Sequence, residues 1–146
     1  MTRAWRAAAL SLLLLAITGC QADHASADPV AFDLGQPFAL AGGQEASING
    51  EGLHVRFADV LEDSRCPERV ECFWTGQARV AVLVQPDGSE AKTLEFNTNP
   101  APGQTISMVR VHGYTVSLTS LDPCPQTPDD ATSLEDYRAT ISVTKG

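Results

Sequence analysis

The chain has 146 residues, 43% of them hydrophobic, and a formal net charge of −8. That length allows a single domain with a sizeable core. Eighteen acidic residues against ten basic ones argue against a nucleic-acid binder, and against a protein held to anionic lipid by a basic patch.

The first element is a leader. Arg3 and Arg6 give it a positive start, and residues 7–17 are apolar apart from Ser11. A run this short cannot cross a hydrocarbon core of about 30 Å as a helix. Ile17-Thr18-Gly19-Cys20 follows directly, an aliphatic residue, two small ones and a cysteine. It resembles the lipobox of bacterial lipoproteins. The resemblance implies cleavage before Cys20, a diacylglyceryl group on the Cys20 sulfur and a third acyl chain on its new amino group. Each buried CH₂ contributes about 0.8 kcal/mol, so several chains on one residue make a durable anchor where one chain holds only marginally. Gln21, in place of Asp, resembles the sorting signal that sends lipoproteins of two-membrane bacteria to the outer membrane, facing the periplasm. Losing residues 1–19 removes two arginines, which leaves 127 residues and takes the formal charge from −8 to −10.

Residues 20–31 then read as the acylated cysteine and a flexible tether. The segment is small and polar, with no apolar period, and His24 belongs to it. The β domain is expected over residues 32–146. Residues 36–40 and 45–48 are its first, weak strands. Asn49-Gly50 signals a hairpin. Leu53, Val55 and Phe57 alternate with His54, Arg56 and Ala58, the period of a half-buried strand. Residues 78–84 are apolar on both faces and read as a central strand. Pro86-Asp87-Gly88 makes a turn, residues 92–96 alternate again, and residues 97–103 read as a loop. Residues 106–111 and 114–118 form a hairpin around His112-Gly113. The prolines at 123, 125 and 128 mark the longest loop. Ser133 with Asp136 can start a helical turn, and residues 137–143 alternate strictly. About eight short strands with no sustained 3.6-residue period predict an all-β fold, an antiparallel β-sandwich or a small barrel.

With Cys20 acylated, Cys66, Cys72 and Cys124 remain, and three pairings are possible. Export to an oxidising compartment favours a disulfide. Cys66 and Cys72 are the nearest pair and enclose a turn-like segment. Closing that ring is worth roughly 2.4 kcal/mol in the chain-entropy account. This pairing leaves Cys124 free or buried.

The segment around these cysteines is the most particular in the chain. Asp63-Ser64-Arg65-Cys66-Pro67 is followed by Cys72-Phe73-Trp74-Thr75-Gly76 and Ala78-Arg79-Val80. It resembles the D-S-R-C-P … C-x-W-x-G-x-A-x-V signature of small bacterial envelope proteins, many of them lipoproteins, with no assigned function. The resemblance extends more weakly to Gly52, Leu53, Val55 and Phe57 before the motif and to Tyr137 and Ala139 in the last strand. It implies a β-rich domain with Cys66 bonded to Cys72, and it supplies no catalytic or binding residues.

Read physically, Asp63 and Ser64 can hold a turn, and Arg65 can pair with Asp63 or a neighbouring acid. Gly76 marks a bend into the next strand. Trp74 is either a plug for one end of the core or a stacking platform. Asp63, Arg65 and Trp74 are therefore the candidate binding surface, open to an envelope protein or a glycan. The acids at 62, 63, 68 and 71 match no calcium-loop spacing, and His54, His112 and Cys124 lack the spacing of a zinc or copper site. There is no G-x-S-x-G elbow and no C-x-x-C. The sequence thus assigns no catalytic residue, metal or cofactor, and favours a non-enzymatic binding or structural role. A metal-dependent protein or hydrolase of unrecognised type is the alternative.

Overall fold

The computed structural model describes residues 28–99 and 107–146. The leader, Cys20, most of the tether, part of the loop at 97–103 and Ile106 lie outside them. Among these described residues nine strands form two separate sheets, so the sandwich rather than the closed barrel is the architecture they build. They are β1 Val30–Phe32, β2 Phe38–Ala41, β3 Glu45–Ile48, β4 Leu53–Asp63, β5 Ala78–Pro86, β6 Lys92–Asn97, β7 Met108–Val111, β8 Tyr114–Asp122 and β9 Arg138–Lys145. One sheet has the order β1-β3-β4-β5-β6 and the other β2-β9-β8-β7. The expected central strand is β5, interior to the first sheet. The expected helical turn is a 3-10 turn at Leu134–Asp136, without a side-chain cap from Ser133.

Alternation explains most of the core. Leu53, Val55 and Phe57 of β4, Val80, Val82 and Val84 of β5, and Ala139, Ile141 and Val143 of β9 are all buried. The facing residues of the two sheets form one continuous apolar cluster. The first sheet is mixed rather than purely antiparallel, because β1 runs parallel to β3. β1 begins at Val30, inside the segment read as tether. Its three residues carry no legible period, but Phe32 stacks on Phe38 with ring centroids 4.5 Å apart.

The feature that simple alternation misses lies in β4. Two bulges interrupt its pairing with β5, one between Phe57 and Asp59 and one between Val60 and Glu62. Strict alternation would put Leu61 inside and Val60 outside. Each bulge adds a residue and shifts the phase. Directly paired residues share a face, so Val60 joins Val80 on the inner face and Asp63 joins Ala78 there. Leu61 is left exposed. A third bulge in β8, between Leu118 and Ser120, likewise turns Leu121 inward opposite Ala139.

The connections sort into two ends. One end carries short turns. His112 and Gly113 both have positive φ and close a tight hairpin, as their residue types require. Asn49 and Gly50 lie in a longer turn of residues 49–52, between the pair Ile48 and Leu53. Asp87 and Gly88 complete that end. The opposite end carries the long connections at residues 64–77 and 123–137, and the disulfide joins Cys66 to Cys72 there, with Cα atoms 5.9 Å apart. Cys124 is free and half-buried. Thiol titration of the denatured, unreduced mature protein is expected to find one free thiol; three would refute the staple.

Candidate functional site

The end that bears the disulfide is built around a carboxylate facing inward. The bulges of β4 deliver Asp63 to the inner face at the last rung of the sheet, where its side chain is only 9% exposed. A buried carboxylate is costly unless it is paired and hydrogen-bonded. Arg65, itself 13% exposed, supplies both in a two-pronged contact. Its Nε donates to Asp63 Oδ1 at 2.8 Å and its Nη2 to Oδ2 at 2.7 Å. The Tyr137 hydroxyl, just before β9, donates to Oδ2 at 3.0 Å. Burial would raise the Asp63 pKa. The Arg65 hydrogen bonds and charge, with Tyr137, outweigh it and hold the carboxyl below its ordinary value.

The remaining Arg65 donors reach the second sheet. Nη1 donates to the Leu121 carbonyl at 2.5 Å and Nη2 to the Pro123 carbonyl at 2.7 Å. One guanidinium thus ties the end of β4 to the end of β8, and the Asp63 carboxylate adds Tyr137 at the start of β9. The sequence placed Asp63 and Arg65 on a candidate binding surface; the structure puts both inside this inter-sheet knot.

The disulfide loop grows out of the knot. Ser64 and Gln77 continue the β4–β5 ladder, with the Ser64 N–H donating to the Gln77 carbonyl at 2.7 Å, and the Cys66 N–H bonds Thr75 at 3.2 Å. Gly76 makes this approach possible. Its φ is +65°, and an added Cβ would sit 1.8 Å from the Ser64 carbonyl oxygen. The loop also docks on the proline-rich connection. The Glu68 N–H donates to the Pro125 carbonyl at 2.9 Å, Gln126 Nε2 to the Glu68 carboxylate at 2.6 Å, and the Cys124 thiol points at the Cys66 carbonyl 3.7 Å away.

Trp74 does not plug the core. It is 68% exposed, Phe73 beside it is fully exposed, and Val70 in the same loop is exposed as well. Phe73 is the site residue that sequence reasoning passed over. It lies between two strands, where no alternation says which way a side chain points.

The histidines stand elsewhere. His54 sits between Glu45 and Asp87, its Nδ1 3.1 Å from one carboxylate and its Nε2 3.0 Å from the other. His112 lies in the β7–β8 turn. Among the described residues no three of His, Cys, Asp or Glu converge as a metal site. A shallow recess of about 310 Å³ lies beside the knot, lined by Asp59, Leu61, Glu62, Thr132, Leu134 and Tyr137 among others. Comparison with known protein families, curated proteins and solved structures finds no match for this chain.

Two measurements test the knot. Arg65→Met is expected to cost about 3 kcal/mol in urea unfolding, because it strands a buried carboxylate. Combining it with Asp63→Leu should cost less than the sum of the single changes, by about 1–3 kcal/mol; strict additivity would deny the coupling. The second concerns pH. Asp63 has a folded pKa below its unfolded value of about 3.9, so its stabilisation is complete above that value and is lost as pH falls through the folded pKa. The urea midpoint should drop in this acid range, and Asp63→Asn should flatten the drop; an unchanged acid limb would contradict the assignment.

Proposed function

We propose that this chain is a lipid-anchored bacterial envelope protein whose β domain acts by binding and not by catalysis. The observation that carries the anchor is the series Arg3, Arg6, an apolar run and Ile17-Thr18-Gly19-Cys20. Acyl chains on Cys20 hold the mature protein to the membrane, and Gln21 directs it to the periplasmic face of the outer membrane. The Cys66–Cys72 disulfide is in keeping with that compartment, since such bonds persist where the surroundings are oxidising.

The binding reading draws its support from the stapled loop. Core plugs are buried, and recognition elements stand out from a rigid frame. Phe73 and Trp74 are exposed side by side on a loop fixed by the disulfide, the Arg65 knot and the contacts to Pro125 and Gln126. Apolar side chains that stay exposed on a fixed frame mark a surface meant for another envelope component. Holding them in place beforehand lowers the entropy lost on contact.

Cys20→Ala is the test in the producing organism. The variant is expected to lose palmitate labelling and move from the membrane to the soluble fraction; full retention in the membrane would remove the anchor.

A further inference from the structure

We infer that the Phe73–Trp74 tip touches the bilayer in which Cys20 is anchored, so that the domain stands on its membrane by two points. This rests on the lipoprotein reading above.

The topology allows the two points to lie at the same end. β4 runs from Leu53 toward the disulfide loop, and β3 runs against it. β1 is parallel to β3, so Asp28 and Pro29 enter it from the side of the disulfide loop. Val30 is level with Ala46, which pairs with Val55, and Val55 pairs with Val84. From Val84 to Ala78, the last rung, the strand covers about 20 Å. Ten residue steps separate Cys20 from Val30, a reach of up to about 33–36 Å. The acylated cysteine can therefore lie beyond the last rung, on the side of the loop.

Reach alone also permits the opposite end, and the exposed side chains decide between them. The far turns present Asn49, Asp87, Glu90 and His112 to solvent. None of the large hydrophobic side chains exposed among the described residues lies in those turns, whereas Val70, Phe73 and Trp74 crown the disulfide loop. Tryptophan suits the headgroup region, where an apolar ring and a polar N–H are both accommodated. Charge selects the lipid. The formal charge of the cleaved chain is strongly negative, and Glu68 and Glu71 flank Arg69 in the loop itself. The occupant is accordingly a zwitterionic surface, not an anionic one.

The mature chain offers a direct readout, because Trp5 leaves with the leader and Trp74 is then the single tryptophan. The acylated protein is reconstituted into vesicles of phosphatidylethanolamine and phosphatidylcholine, with part of the phosphatidylcholine brominated near the headgroup end of its chains. Vesicle flotation and the mass of the N-terminal peptide are recorded on the same sample. Trp74 is expected to shift its emission to shorter wavelength and to lose most of it to the bromines. A protein that floats with acyl chains on Cys20 but keeps a water-exposed, unquenched Trp74 overturns the contact while the anchor stands, and gives the tip to a protein or glycan instead. A Cys20 without lipid overturns both.

Discussion

The ion pair between Asp63 and Arg65 is the constraint on which this end of the sandwich depends. A sheet sandwich needs its open ends closed, and the core between the two sheets of this one is apolar. At the last rung of β4 the inward position is a carboxylate. Burial alone would favour the neutral acid or expel the group. The two-pronged contact with Arg65 reverses that preference, and the guanidinium spends its other donors on the Leu121 and Pro123 carbonyls across the gap. The same atoms that neutralise Asp63 therefore close the sandwich and fix the base of the disulfide loop. The other end uses a related device. Glu51, in the β3–β4 turn, accepts from the Tyr114 hydroxyl at 2.8 Å and pairs with Lys145 at 3.0 Å, again linking one sheet to the other. Its lysine is exposed, and ion pairs at the surface contribute little, so that device holds more weakly.

Much of this architecture was legible in the sequence because it follows from local rules. Leu53, Val55 and Phe57 announce a half-buried strand by their spacing, and His112-Gly113 announces a tight hairpin by its tolerance of positive φ. The pairing of Asp63 with Arg65 was readable as one option, opposite charges two residues apart beside a stapled loop, with the neighbouring acids as the others. The phase of β4 beyond Phe57 was not. A bulge is a property of a strand and its partner together, and the extra residues Ala58 and Leu61 resemble ordinary strand residues. Alternation carried past Phe57 therefore inverts Val60 and Leu61. It still places Asp63 inward, because two successive shifts cancel.

The loop illustrates a different limit. Trp74 and Phe73 belong to no strand, so periodicity cannot assign them a face, and large aromatic residues are more often buried than not. Only the completed frame shows which way they point. The short ring closed by Cys66 and Cys72, the close approach permitted by Gly76 and the contacts to Pro125 and Gln126 together leave no interior to receive them. Their exposure is a consequence of how the loop is tied down. Hydrophobic side chains on a slack loop could fold back onto the sheet and shed water there; on this loop they cannot.

Rigid display of apolar groups carries a cost in solubility, and the rest of the chain offsets it. The acidic excess leaves the surface self-repelling, which opposes association of these tips with one another. The arrangement is coherent if the apolar tip and the point of attachment serve the same surface. A tether alone permits any orientation, whereas a second contact at the end where the chain enters restricts the domain to standing upright. The turns at 49–52, 87–91 and 112–113 would then face away from the membrane, polar and accessible, and the flanks of both sheets would lie across the envelope space. The knot at Asp63 and Arg65 would make such an orientation mechanical, because it couples the disulfide loop to both sheets at once.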